Sequence, residues 1–276
     1  MTDQISKAEL FKALHERPGA FVIPNPWDAG TAILLAGLGF EALATTSAGL
    51  AFSLGRRDAG GITRAEAIGN VRAIAGATPL PVSADLENGY ADDPASAAQA
   101  LVMAAEAGAV GGSIEDAAGN PSQPIYSFDH SVERVAAAAE AVQALPFPFT
   151  FTARAENFLY GKNDLDDTIR RLQAYEKAGA SVLYAPALPS LEAISEVCKA
   201  VTKPVNILAG ARQSHSVAEL AAAGAKRISI GSLLNRTALG AFLRAARGLK
   251  DSGTVSFVKD AVPYAEIMSL MPAVDV

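Results

Sequence analysis

Acidic residues close three short apolar runs of this chain: Ser83-Ala84-Asp85-Leu86-Glu87-Asn88-Gly89-Tyr90, Ser113-Ile114-Glu115-Asp116 and Thr152-Ala153-Arg154-Ala155-Glu156-Asn157. If each run is a strand, Asp85 and Glu87, two residues apart, point the same way in an extended chain, and Glu115 comes from the neighbouring strand. Three convergent carboxylates suit a hard divalent cation. Mg²⁺, with Mn²⁺ as a substitute, takes oxygen ligands and keeps several waters, and one or two carboxylates plus substrate oxygens commonly hold it. The plainer role for any one of these acids is a helix cap or an ion pair with arginine. Three of them on adjacent strand ends favour the metal. Arg154 at such an end can grip a substrate carboxylate at two points, or it can neutralise Glu156 or Glu115. The stretch Thr45-Thr46-Ser47-Ala48-Gly49-Leu50 reads as a small-residue turn, and the backbone N–H groups of Ser47, Ala48 and Gly49 can receive an oxyanion. Small residues also simply turn a chain. Asp58, in Gly55-Arg56-Arg57-Asp58-Ala59-Gly60-Gly61, lies on a glycine-bearing loop as a base or nucleophile over the site, or as an exposed carboxylate.

Absences narrow the chemistry. The nine lysines fall on expected helices or loops, which disfavours a Schiff-base aldolase. Of three histidines only His215 is expected near the site, so a histidine-rich zinc centre is disfavoured. Cys198 falls within an expected helix and reads as a small packed residue. The turn Ile230-Gly231-Ser232 can hold a phosphate at a helix N-terminus, or act only as a cap.

What must position these groups is a repeated unit of short strand and alanine-rich helix. Strands are expected at 21–24, 42–46, 81–85, 112–115, 149–154, 181–185, 204–208 and 227–230. Helices are expected at 29–38, 64–75, 94–107, 132–144, 165–178, 191–201, 217–223 and 233–249, after a short one near 6–15. Three helices end in Ala-Gly-Ala (107–109, 178–180, 223–225), where glycine supplies a left-handed cap. Ser131, Asp164 and Ser216 are expected N-caps. Eight such units make a (β/α)8 TIM barrel, with residues 1–276 as a single domain, the leading fold. The rival is a doubly wound open sheet, but no phosphate-loop glycine pattern follows any strand.

Half of the residues are hydrophobic, with 19% charged, 7% aromatic and a net charge of −6. So few charges argue against a disordered chain, and the acidic balance argues against a nucleic-acid partner. Mean hydropathy is +0.21, yet the uncharged, apolar-leaning stretches 29–40 and 42–55 are separated by Glu41 and fall short of the roughly 18 apolar residues of a membrane span. No membrane partner is expected. The start Met1-Thr2-Asp3-Gln4 lacks the features of a secretory signal, and a single cysteine makes no internal disulfide, so a cytoplasmic setting is expected.

At these residues the sequence resembles the isocitrate lyase and phosphoenolpyruvate mutase superfamily. The matching segments are Asn25-Pro26-Trp27-Asp28-Ala29, Ala44 to Gly49, the Asp58 loop, Val82 to Tyr90, Gly111 to Asp116 and Thr152 to Glu156. The resemblance implies a modified barrel whose C-terminal helix is swapped between subunits of a homo-oligomer, a dimer or tetramer. It implies Mg²⁺ held by Asp85 directly and by Glu87 and Glu115 largely through water. Arg154 and the backbone from Ser47 to Gly49 would hold a 2-oxo acid carboxylate and its developing enolate oxygen, with Trp27 and Asn206 as further substrate contacts. Isocitrate and methylisocitrate lyases resemble one another in a Lys-x-Cys-Gly-His gating loop, whose cysteine is the acid. Here that loop, 116–126, has no Cys, Lys or His, and only Asn120 answers to the phosphonopyruvate branch. The expected activity is therefore Mg²⁺-dependent C–C cleavage of a small 2-oxo or 2-hydroxy dicarboxylate, in the manner of an oxaloacetate decarboxylase. The alternatives are P–C bond chemistry using Asp58 and a binding protein without turnover. The apolar tail 261–276 fits a segment packed on a partner or on its own barrel.

Overall fold

Parallel strands of two to five residues cannot stand alone, and the chain pairs them around a ring. The computed structural model describes residues 2–210 and 214–271. Its strands are β1 (Phe21–Ile23), β2 (Leu43–Ala44), β3 (Val82–Asp85), β4 (Gly111–Glu115), β5 (Ala117–Asn120), β6 (Gln123–Ile125), β7 (Thr150–Arg154), β8 (Val182–Tyr184), β9 (Val205–Leu208) and β10 (Arg227–Ser229). Eight of them form one parallel sheet in the order β1-β10-β9-β8-β7-β4-β3-β2. The ring closes between β1 and β2 without a ladder: Ala44 N–H donates to Pro24 O at 3.0 Å. Asn25 staples the same seam, donating to Thr45 O at 3.0 Å and accepting from Ile230 N and Gly231 N at 3.0 and 2.8 Å. This is a (β/α)8 barrel.

The helices are α1 (Thr2–Glu16), α2 (Ala29–Gly37), α3 (Ser47–Ser53), α4 (Arg64–Gly76), α5 (Pro94–Glu106), α6 (Phe128–Gln143), α7 (Leu165–Lys177), α8 (Leu191–Ala200), α9 (Val217–Ala222), α10 (Leu233–Ser252) and α11 (Tyr264–Leu270). The Ala-Gly-Ala segments end their helices as the sequence predicts, with Gly108, Gly179 and Gly224 at φ between 104° and 110° just beyond the last turn. Helix α6 begins four residues before the expected 132, because Ser127 rather than Ser131 caps it. Ser131 is buried instead, and its hydroxyl accepts from Arg171 at 3.1 Å. Three features run against the expected plan. Residues 47–53 are a helix capped by Thr46 rather than a turn, β5 and β6 make an antiparallel hairpin in the expected gating loop, and α11 follows a 3₁₀ turn at Ser256–Asp260. Residues 272–276 of the apolar tail lie outside the described residues.

Helix α1 plugs the N-terminal end of the barrel. Ala8, Phe11 and Leu14 are buried there against Phe21, Ile23 and Val110, and a side chain on Gly111 would meet the Phe11 ring at 2.7 Å, so the plug needs glycine at that strand start. His15 lies edge-on between Phe11 and Phe21. Its Nδ1–H donates to Phe11 O at 2.8 Å, and Nε2 faces Arg227 Nη1 at 3.4 Å. Burial, with Arg227 beside it, lowers its pKa to about 3. The unfolded chain therefore takes up a proton at His15 near pH 6.5 that the folded chain refuses. Stability should fall by up to about 1.4 kcal/mol per pH unit below 6.5. Urea titrations from pH 7 to 4.5 on wild type and His15→Gln check this, and the variant should lose that part of the acid slope.

Candidate active site

The expected site residues come together at the C-terminal ends of β3, β4 and β7. Arg154 ends β7, and its guanidinium lies among three carboxylates: Nη1 donates to Asp85 Oδ1 at 2.9 Å, Nη2 pairs with Glu115 Oε2 at 2.8 Å, and Nε donates to Glu156 Oε1 at 2.9 Å. These acids hold the guanidinium charged, well above its usual pKa. Its Cζ also lies 5.0 Å from the Tyr184 ring centroid. Burial nonetheless raises the Glu115 and Glu156 carboxyls, and the neighbouring acids add to the shift. To grip a substrate carboxylate, Arg154 must share or exchange these partners.

Asp85 and Glu87 do not converge by strand alternation. The strand stops at Asp85, Leu86 turns inward to full burial, and Glu87 takes the left-handed region at φ 48°, followed by Gly89 at 77° and Tyr90 at 59°. A non-glycine residue there costs roughly 1–2 kcal/mol. The surroundings impose it. Glu115 N–H donates to Glu87 O at 2.9 Å. Arg134 of α6 donates to Ala91 O and Asp92 O at 2.7 and 2.6 Å and also binds Asn88 O. Gly89 has no room for a side chain, whose first carbon would stand 2.8 Å from Ala97 backbone. Gly89→Ala should therefore cost more than the roughly 1 kcal/mol typical of a point substitution and loosen Glu87. A lowered melting temperature with weakened metal-dependent ligand binding is the expected pair of readouts.

The Asp58 loop folds over this cluster. Gly60 N–H donates to Glu87 Oε2 at 3.1 Å, and Arg56 pairs with Glu66, the capping-box residue of α4, at 2.7 Å. Asp58 itself lines a cavity of about 260 Å³ together with Ser47, Ala48, Asp85, Arg154 and Asn206, although its loop is exposed to solvent. Partial burial and the nearby Asp85 push its carboxyl up. A second cavity, about 480 Å³, is lined by Glu87, Glu115, Tyr90, Tyr160 and the base of the hairpin. The backbone expected as an oxyanion pocket is partly used: Ser47 N–H donates to Asp85 Oδ2 at 2.9 Å and Gly49 N–H to Thr46 Oγ1 at 3.3 Å.

The other expected residues divide between this cavity and places outside it. Gly49 gives Trp27 and Thr46 room, since a side chain there would meet Thr46 Cγ2 at 2.6 Å and Trp27 Cβ at 3.0 Å, but neither Trp27 nor Gly49 lines the 260 Å³ cavity. Asn206 sits deep in it, donating to Ser229 Oγ at 3.0 Å and accepting from Arg227 Nε at 2.8 Å. His215 lines a separate small cavity with Ala187 and Leu188. Cys198 lies in α8, where burial pushes its thiol up to about 11 and leaves it unreactive.

Glu156, Asn25 and Arg134 were not expected as site residues. Glu156, two residues after a strand-end arginine, and Asn25, in a segment that matches the superfamily, carried a signal, and Arg134 carried none. Asp116 is a further anchor: buried, it accepts from Arg171 Nη1 at 3.0 Å, Tyr175 Oη at 2.7 Å and Glu156 N at 2.8 Å, tying the ends of β4 and β7 together.

Among the described residues, no three His, Cys, Asp or Glu side chains form a ready metal cage, because Arg154 stands between Asp85 and Glu115. The donor set still fits an ion that keeps its waters. Glu87 Oε1 is buried without a hydrogen-bond partner among the described residues, and burial with the Asp85 charge raises the Glu87 carboxyl to about 7. An added cation relieves both strains.

A barrel with clustered acids and an arginine at its strand C-termini is an enzyme arrangement, because that face is where such barrels carry their active sites. The chain belongs to the phosphoenolpyruvate phosphomutase family, whose model matches residues 11–250, and so to the isocitrate lyase and phosphoenolpyruvate mutase superfamily of carbon–carbon lyases and mutases. It is similar to a solved structure from Burkholderia cenocepacia J2315, provisionally named a lyase/mutase, at 56% identity and TM-score 0.95 over 98% of this chain and 96% of that one. It is 29% identical to the 2-methylisocitrate lyase of Escherichia coli K12, over 72% of this chain and 69% of the relative. It is also 29% identical to the oxaloacetate decarboxylase of Bradyrhizobium diazoefficiens, over 82% of this chain and 78% of the relative.

Proposed function

We propose that this enzyme breaks a C–C bond of a small 2-oxo or 2-hydroxy dicarboxylate through an enolate, as an oxaloacetate decarboxylase does, with Mg²⁺ or Mn²⁺ at Asp85, Glu87 and Glu115. The observation that carries the reading is the ring of carboxylates around Arg154, beside a cavity of about 260 Å³ that Asp85 and Arg154 line. When bound, the cation supplies positive charge beside the substrate's carbonyl, where negative charge builds as the bond breaks. Arg154 orients a substrate carboxylate, and the Ala48 backbone N–H is the donor offered to the enolate oxygen, since that of Ser47 is held by Asp85. The hairpin 117–125 brings no Cys, Lys or His to the site, which separates this chain from lyases that need a thiol acid. The relative named as an oxaloacetate decarboxylase supports that choice.

Purified protein with Mg²⁺ should form pyruvate from oxaloacetate well above a metal-only control, and EDTA should remove the excess. Equal rates with and without protein would end this reading. The second reading, P–C cleavage, is favoured by Asp58 facing the cavity. Phosphate released from phosphonopyruvate, with oxaloacetate untouched, would select it.

Residues 1–276 then act as one domain in a cytoplasmic homo-oligomer. The C-terminal arm supports assembly: Phe242 of α10 is 66% exposed and Tyr264 80%, with Leu243, Val255, Val258 and Val262 also bare. Faces this apolar are normally covered. Light scattering at micromolar concentration should give a dimer or tetramer, and Phe242→Glu should shift it toward monomer.

A further inference from the structure

We propose that Tyr160 is the acid that delivers a proton to the substrate-derived enolate carbon, a role that rests on the lyase reading above. The geometry assigns it. Tyr160 lies in the loop after β7, in a tight turn rooted on Glu156: Leu159 N and Tyr160 N both donate to Glu156 O, at 3.0 and 3.2 Å, and Lys162 N donates to Asn157 O at 2.8 Å. Glu156 is the residue whose carboxylate holds Arg154 Nε, and Phe158 is buried beneath the turn. The loop is therefore fixed to Glu156, and through the Glu156 carboxylate it is tied to the guanidinium. Leu159 lines the cavity of Asp85 and Arg154, while Tyr160 lines the adjoining one beside Glu87 and Glu115. The turn thus contributes one side chain to each cavity.

Tyr160 is 37% exposed where it lines the 480 Å³ cavity, so its side chain is open to solvent on the side of Glu87 and Glu115. Burial and the charges of Glu115 and Glu156 push its pKa up to about 12, which keeps the proton in place at neutral pH. Other acids near the site are less suitable. The Tyr90 hydroxyl is unpartnered among the described residues but fully enclosed, its ring packed against Leu50 and Ile62. His215 faces a different cavity.

The step balances. The C3–C4 bond of oxaloacetate breaks, CO₂ leaves, and the electron pair remains as the pyruvate enolate. C3 then takes the proton from Tyr160 Oη, and the resulting phenolate recovers a proton from solvent. The reverse proton transfer can be read without C–C cleavage, as exchange of pyruvate C3 protons with D₂O.

The test follows pyruvate methyl exchange by NMR with Mg²⁺, alongside oxaloacetate decarboxylation and calorimetric binding of oxalate, for wild type and Tyr160→Phe. Wild type should catalyse both reactions. Tyr160→Phe should lose at least about 100-fold in exchange, the usual range for a removed general acid, while oxalate binds within about threefold. Exchange retained within about threefold overturns the assignment. So does a wild type that decarboxylates oxaloacetate without exchanging pyruvate, because the proton then arrives after release. A wild type that does neither overturns the lyase reading, which is a separate outcome.

Discussion

Arg154→Met is expected to destabilise the folded chain by about 3–5 kcal/mol, the range for removing one partner from a buried ion pair. The size follows from what the guanidinium satisfies. Asp85, Glu115 and Glu156 each give an oxygen to it within 2.9 Å, with Glu156 fully buried and Glu115 largely so. Without it, burial still raises the Glu115 and Glu156 carboxyls and nothing opposes the shift. A folded-state pKa above the unfolded one means the folded chain binds more protons, so the deficit should shrink as pH falls from about 8 to 5. Urea midpoints across that interval measure it. Arg154→Lys should recover less than half of the loss, because an ammonium cannot meet three carboxylates with the planar fork. A deficit under about 1 kcal/mol, or one that grows on acidification, would show that these acids are neutral in the wild type.

Asp85→Asn carries the largest expected effect on activity. Asp85 is the one acid touching both neighbours of the site, accepting from Ser47 N–H and from Arg154. The amide keeps the shape and can still accept from Ser47, but it loses the charge that an ion and the guanidinium share. A fall in kcat/KM of at least about 1000-fold, equivalent to about 4 kcal/mol of transition-state stabilisation, should accompany loss of the thermal shift produced by Mg²⁺ with oxalate. The fold should survive, because the side chain is at the solvent end of its strand and its backbone N–H donates to Thr45 Oγ1 at 2.8 Å regardless. An unchanged thermal shift would place the metal elsewhere.

The eight barrel strands were legible because their signals are local: each is a short apolar run bounded by turn residues, and each lies within two residues or so of its expected bounds. The Ala-Gly-Ala helix ends were legible for the same reason. Residues 47–53 were not, because Ser-Ala-Gly describes a turn as well as a first helical turn, and only the Thr46 cap and burial of Leu50 decide it. The hairpin 117–125 carries glycine and proline and no alternating pattern, so pairing rather than propensity creates it. The site was legible as a set of residue types on neighbouring strands, but not as geometry. Spacing suggested that Asp85 and Glu87 align along a strand, whereas a left-handed turn held by Arg134, 47 positions further along the sequence than Glu87, aims Glu87.

The seam at Asn25 has a consequence for how the chain is made. Among the described strands, β1 finds its ladder partner only in β10, some 200 residues later, and meets β2 through single hydrogen bonds. A chain emerging from the ribosome can assemble β2 through β9 while β1 and the α1 plug wait with a bare edge, and the ring shuts only when residue 229 is free. Contacts this distant in sequence form late and slowly. Nascent chains stalled before that point should be the ones that chaperones hold, and Asn25→Ala should prolong this vulnerable interval more than it weakens the finished barrel.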